Sequence, residues 1–170
     1  MMPCRILFVC TGNICRSPTA EGVARGLAAK HGVGHLFEFD SAATHGYHVG
    51  DPPDPRTIAA ARQRGYDLAP LRARRVTEFD FVRFDYVLAM DRKHLELLQR
   101  ACPRIHQKKL GLFLEFSERF DEDEVPDPYY GGAQGFEQVL DLIEDAATGL
   151  VFKLSAGRRE SIPDILPRTK

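Results

Sequence analysis

No apolar run long enough to cross a membrane, no Cys-x-x-Cys pair and no large excess of either charge occur in this 170-residue chain. Each absence removes a class of function. A formal net charge of −1 gives no general pull toward nucleic acid or anionic lipid, so any anion site must be local. The N-terminal apolar stretch, residues 6–9, is too short for a secretory leader. A cytoplasmic chain with no membrane association is therefore expected. The four cysteines (Cys4, Cys10, Cys15 and Cys102) would then be reduced thiols. Their spacing argues against zinc. His45 and His48 lie close together, but the sequence reading finds no Cys or carboxylate sharing their spacing, so no metal is expected. No internal repeat and no break in composition marks a second domain. The length suits a single domain with its own core.

What is present alternates between strand and helix. Residues 5–9 are apolar on both faces, as in a buried parallel strand. Helix follows over 18–30, with Ser17 as N-cap, Pro18 at the first helical position, Glu21 near the positive helix end and Gly32 as terminator. Residues 37–42 alternate as a second strand. Asp54-Pro55 opens a second helix that stops at Arg64-Gly65. Thr77 caps a short helix through Phe81, residues 85–90 form a third strand, and Asp91 caps a helix ending before Pro103. Residues 109–113 read as the fourth strand, 115–134 as a long loop, and 135–154 as a helix with one apolar face. This pattern predicts an α/β fold: a three-layer, doubly wound arrangement of a four-stranded parallel sheet with helices on both faces. The domain is expected over 1–157, with a polar tail over 158–170.

In such folds ligands sit beyond the carboxyl ends of strands, and Cys10 stands at such an end. Residues 10–17 read Cys-Thr-Gly-Asn-Ile-Cys-Arg-Ser. Backbone N–H groups of Thr11, Gly12, Asn13, Ile14, Cys15 and Ser17 could converge on one anion, aided by the helix start. Gly12 and Asn13 are the types that most easily take φ > 0 in a tight loop. Arg16 adds a planar fork for two phosphate oxygens. Amide dipoles, the helix end and the guanidinium all favour thiolate over thiol at Cys10, and a thiolate attacks phosphorus well. Ser17 could donate to that sulfur or serve as a plain N-cap, and the two roles are compatible. A buried Cys at a strand end, taken alone, is only a small hydrophobe.

The leaving oxygen needs a proton. Asp127 lies between Pro126 and Pro128, which restrict the backbone on both sides and give a stiff mount for a general acid. A neighbouring phosphate dianion favours its protonated form. Neither this pair nor the loop is distinctive singly. Strand, loop, Ser-Pro helix start and a later Asp-Pro-Tyr-Tyr together are far rarer.

From these residues the chain resembles the low-molecular-weight protein tyrosine phosphatases. The likeness runs from Arg5 to about Leu154 and rests on residues 9–18 with Ala20-Glu21, on Asp40-Ser41-Ala42, Asp54-Pro55-Arg56, residues 84–91 and Asp127-Pro128-Tyr129-Tyr130. The resemblance implies Cys10 as nucleophile, Arg16 as phosphate clamp, and Asp127 as general acid and then base on the hydrolytic water. It implies Asn13, Ser17 and Ser41 as loop supports, and Ile14, Tyr47, Tyr129 and Tyr130 as walls of a slot for the aromatic ring. It implies that Cys15 can pair with Cys10 under oxidation and shield it. No cofactor is implied. Partners would be phosphotyrosine proteins or peptides and a cognate tyrosine kinase, with the chain a monomer or weak dimer. Two departures stand out: Leu71-Arg72 occupies a region where eukaryotic members often carry a supporting His, and Tyr47 stands where some members have Trp.

Rival readings share the scaffold. An arsenate reductase needs further cysteines to relay a disulfide, and only Cys102 is available. Arginine phosphatases tend to carry Thr where this chain has Ile14 and to lack the paired tyrosines. A non-catalytic phosphate-binding module would lack Cys10 or Asp127. A dinucleotide-binding domain would need Gly-x-Gly-x-x-Gly, and Gly12 stands alone. Arg72, Arg74 and Arg75, and the acidic run 121–124, read as solvated faces.

Overall fold

The computed structural model describes residues 2–129 and 131–159. Four parallel strands, β1 (Cys4–Cys10), β2 (Phe37–Ala43), β3 (Tyr86–Ala89) and β4 (Leu110–Leu112), are ordered β2-β1-β3-β4. The helices are α1 (Arg16–Lys30), α2 (Pro55–Gln63), α3 (Glu78–Arg83), α4 (Arg92–Ala101) and α5 (Ala133–Arg159). This is the expected α/β sheet with helices on both faces.

The central strand shows why. Ile6, Phe8 and Cys10 of β1 point into one apolar layer with Ala20 and Val23 of α1 and Leu140 and Ile143 of α5. Leu7 and Val9 point into the other, with Phe81 of α3 and Leu98 of α4. A strand alternates its side chains across the sheet, so a run apolar at every position can be buried only between two helical layers. Phe8 anchors the first layer by an edge-on contact with Phe113, ring centroids 4.9 Å apart.

Registers bring the strand ends level. Cys10 pairs with Ala43, and Val9 pairs with Ala42 on one side and Ala89 on the other. The chain reversals after β1 and β3 therefore open on the same edge of the sheet, where β1 and β3 diverge to opposite neighbours.

Several boundaries differ from the sequence reading for local reasons. α1 begins at Arg16, preceded by Cys15, and no side chain caps it. Ser17 is inside the first turn, with its hydroxyl turned to Cys10 instead of the helix end. Gly32 ends α1 as expected, with φ +70°. Thr77 and Asp80 form a reciprocal capping box on α3, which runs to Arg83. α5 begins two residues earlier than expected and extends to Arg159. At 27 residues it is about 40 Å long. Its Asp145 carboxylate accepts the backbone N–H groups of Glu118, Arg119 and Phe120, which fixes the start of the long loop. The expected tail lies mostly beyond the described residues.

Candidate active site

The loop after β1 closes on itself around Cys10 and Arg16, both almost fully buried. Ser17 N–H points at Cys10 Sγ from 3.5 Å, and Ser17 Oγ lies 3.0 Å from the same sulfur. Asn13 Nδ2 donates to Ser17 Oγ at 2.8 Å and to Ser41 Oγ at 2.9 Å. Because Ser17 Oγ accepts from Asn13, its own proton is available to Cys10. Ser41 passes its proton the other way, to Glu21 Oε1 at 2.8 Å. A single chain of bonds thus runs from Glu21 through Ser41, Asn13 and Ser17 to the sulfur.

Asn13 is the one non-glycine described residue with positive φ, +57°. Gly12 does not share that conformation. Its lack of a side chain serves space instead: a Cβ there would lie 2.9 Å from the His48 ring. Asn13 Oδ1 accepts from the backbone N–H of Arg74 at 3.1 Å. Support from this part of the chain is therefore present despite the departure at Leu71-Arg72; it comes from a main-chain donor. Arg74 is not simply a solvated charge, since its guanidinium bridges Asp40 and Asp80 at 3.0 Å each.

Among the described residues, no protein acceptor takes the backbone N–H groups of residues 11–16. Buried N–H groups require a partner, and donors gathered at a helix start suit an anion. Arg16 sits beside them. Of its five N–H bonds, two on Nη1 go to Asp91 Oδ2 (2.9 Å) and the Val125 carbonyl (3.0 Å), and one on Nη2 faces His94 Nε2 at 3.4 Å. The Nε–H and the second Nη2–H remain, and they share one edge of the guanidinium.

Asp127 faces that edge from the long loop. Its Oδ2 is 3.6 Å from Arg16 Nη2, and its Oδ1 accepts the Tyr129 N–H at 3.0 Å. Val125 positions it: the Val125 N–H bonds to the Met90 carbonyl at 2.8 Å, extending the loop beside the end of β3. The acidic run before it is not merely solvated. Asp123 pairs with Arg92, and Glu124 Oε2 accepts the Arg92 N–H at 2.9 Å, so the run fastens the loop to the start of α4.

These groups line a cleft of about 230 Å³. Cys10, Thr11, Gly12, Cys15 and Arg16 form its floor; Ile14, Tyr47, His48, Asp127 and Tyr129 form its walls. Tyr47 is 73% exposed and stacks on His45, so it forms a rim more than a wall. Tyr130 lies outside the described residues. His48 was not foreseen as a wall. Its Nδ1 is 3.3 Å from Asp51 Oδ2, a carboxylate at a spacing the sequence reading passed over. Among the described residues, no three His, Cys, Asp or Glu side chains are placed to hold a metal ion.

His94 and Glu21 were also missed. His94 lies in the first turn of α4 under the loop, and Glu21 anchors Ser41 instead of serving the helix end. Burial raises the Glu21 carboxyl above its usual range, with Ser41 and Arg25 opposing. Burial likewise works against ionisation of Asp91, but the His94 N–H and Arg16 outweigh it and hold that carboxyl low. Burial pushes the Cys15 thiol up to about 12.

The profile of the low molecular weight phosphotyrosine protein phosphatase family matches residues 5–160. The chain belongs to this family. A low molecular weight protein-tyrosine-phosphatase of Streptomyces coelicolor is 45% identical over 153 residues, covering 88% of this chain and 93% of that one. The crystal structure of a protein tyrosine phosphatase from Entamoeba histolytica, with Hepes in its active site, superposes with a TM-score of 0.88 at 40% identity and covers 91% of this chain and 99% of that one. Bacillus subtilis YfkJ superposes with a TM-score of 0.84 at 37% identity, covering 94% and 98%. No helix among the described residues is long and apolar enough to cross a membrane.

Proposed function

We propose that this family member hydrolyses phosphotyrosine monoesters of proteins, and small aryl phosphates, through a phosphocysteine intermediate. The observation that carries the reading is the convergence of Cys10 Sγ, the open edge of Arg16 and the Asp127 carboxyl on one cleft. The Cys10 thiolate attacks phosphorus as the bond to the aryl oxygen breaks. Asp127 delivers its proton to that oxygen, so the phenol leaves neutral. Arg16 and the amides of residues 11–16 hold the equatorial oxygens, where charge is carried through the transition state. Water then attacks the phosphocysteine, Asp127 takes its proton, and the sulfur departs as thiolate with phosphate released. Ser17, accepting from Asn13, donates to the sulfur in both steps.

Ile14 and Tyr129 give the cleft apolar and aromatic walls above a polar floor, which suits a phenyl ring. They support an aryl ester over a phosphoarginine, whose guanidinium N–H groups would find no hydrogen-bond acceptor on the Ile14 side chain. A thiol-relay reductase finds less support: Cys102 lies in the layer with Leu98 at the far end of α4.

Hydrolysis of p-nitrophenyl phosphate in the presence of a chelator tests the reading. Cys10→Ser is expected to be inactive, and Asp127→Ala to lose ~100-fold or more in kcat. Full activity in Cys10→Ser would overturn it. A phosphotyrosine peptide and a phosphoarginine peptide run side by side decide the substrate class.

A further inference from the structure

His94 is 3% exposed and lies beneath the phosphate loop, on the first turn of α4. The backbone N–H of His94 bonds to Asp91 Oδ1 at 2.9 Å, which fixes that turn and aims the ring at Arg16. Its Nε2 is 2.7 Å from Thr11 Oγ1 and 3.4 Å from Arg16 Nη2. A guanidinium nitrogen can only donate. Nε2 therefore presents its lone pair, the Thr11 hydroxyl donates to it as well, and the ring proton sits on Nδ1. Nδ1 lies 3.1 Å from Asp91 Oδ1 without the alignment of a hydrogen bond, and has no other partner among the described residues.

Asp91 and His94 thus bracket one guanidinium. The carboxylate takes Nη1 and the imidazole faces Nη2. Only with both in place is the Nε/Nη2 edge left toward the cleft, where a tetrahedral oxyanion can be read by two parallel N–H bonds. We propose that His94 is a positioning residue of the phosphate clamp, a neutral imidazole whose Nε2 accepts from both Arg16 and Thr11 and so sets the angle of the guanidinium against the loop.

The role requires a neutral ring, because an imidazolium would turn an N–H toward Arg16 and lose that bond, leaving only the Thr11 hydroxyl, which would then accept instead of donate. The surroundings enforce neutrality. Burial, then the Arg16 charge, push His94 down to about 4; Asp91 and Asp127 pull the other way, and His45 adds to the lowering. A histidine that merely filled space would not need its lone pair shared between the clamp and a loop hydroxyl.

The inference rests on the phosphatase reading and is tested beside it. His94→Asn keeps a polar group near Asp91 but cannot reach Arg16. His94→Gln can place Oε1 where Nε2 stands. Circular dichroism establishes folding; kcat and KM for p-nitrophenyl phosphate and the inhibition constant of vanadate are then measured. The Asn variant is expected to lose ~10- to 100-fold in kcat and ~10-fold in vanadate affinity, as for a displaced charge-assisted bond. The Gln variant should return to within ~3-fold of the parent. Parental kcat and vanadate affinity in the Asn variant overturn the proposal, as does equal loss in Asn and Gln. Should the Asn variant not fold, Thr11→Val removes the shared hydroxyl alone; unchanged vanadate affinity there also overturns it. A parent inactive on aryl phosphate sinks the phosphatase reading instead, so the two failures are distinct.

Discussion

Residues 10–17 and residues 118–129 face each other across the cleft and are held by different means. The first loop is buried and tied from beneath. Asn13 alone makes contacts to Ser17, Ser41 and Arg74, and Asp54 N–H bonds to the Ile14 carbonyl at 2.8 Å. The second is largely exposed and pinned at points: Asp145 at its start, Arg92 and Val125 in the middle, Arg56 at Tyr129. An anion cradle needs its donors fixed before substrate arrives, since preorganised dipoles cost no rearrangement at the moment of reaction. An acid has to meet leaving groups of varied size, and a loop held at points leaves the cleft open for them. Arg16 joins the two, since one Nη1 bond goes to Asp91 below and another to the Val125 carbonyl of the acid loop.

The contrast breaks most visibly at Asn13. Asn13→Ala removes three buried side-chain bonds, each worth about 1 kcal/mol, and puts Ala at φ +57°, a conformation that Asn tolerates better than Ala. A loss of about 4 kcal/mol in urea unfolding and ~100-fold in kcat is expected. Asn13→Gly keeps the bonds broken but relieves the backbone, so it should recover about 1 kcal/mol of stability and little activity. Equal activity in Gly and parent would show that the cradle does not need its side-chain network.

What the sequence could reveal divides along the same line. The order of strands and helices, and some of their limits, depend on neighbours in the chain, such as the apolar run of β1, Asp54-Pro55, the Thr77 box and Gly32, and these were legible; the starts of α1 and α5 were not. Cys10, Arg16 and Asp127 stand out by residue type and local spacing, and the fold brings all three to one cleft. The misread residues act across the fold. Ser17 after Arg16 and before Pro18 looks like a cap, and only the closed loop turns its hydroxyl to the sulfur. Glu21 looks like a helix-end charge until β2 brings Ser41 within 2.8 Å. Arg74 looks solvated until Asp40 and Asp80 converge on it. His94 carried a faint signal: it lies three residues after a capping Asp and four before Leu98, on the inward stripe of α4.

The thiol of Cys15 sharpens the comparison, because it is a reactive group inside the buried loop. At a pKa of about 12 it stays protonated and does not compete with Cys10 for phosphorus. After peroxide converts Cys10 to a sulfenic acid, attack by Cys15 would form the disulfide and release water. Its raised pKa makes that step slow at neutral pH. Wild type treated with peroxide and then thiol should therefore regain more activity than Cys15→Ser, with the gap widening as the pH of the peroxide step rises toward 9. Identical recovery at every pH would remove Cys15 from any protective role.

Arg56 probes the loosely pinned side and should give the smallest effect. It grips Asp54 through both carboxylate oxygens, donates to the Tyr129 carbonyl at 3.0 Å and lies over the Phe136 ring, 4.8 Å from its centroid. It thereby connects the start of α2, which also holds Ile14, to the segment just after Asp127. Arg56 is exposed, and salt screens such pairs, so its removal should leave the melting temperature nearly unchanged. The consequence should be in geometry: Tyr129 and the Asp127 carboxyl that bonds its N–H lose one of their restraints. Arg56→Ala is expected to lower kcat by up to ~10-fold through misplacement of the acid, and the loss should shrink with nitrophenyl leaving groups that need little protonation. A uniform loss across leaving groups of different basicity would mean that Arg56 acts on the cradle through Asp54, and that the two loops are less independent than their bonding suggests.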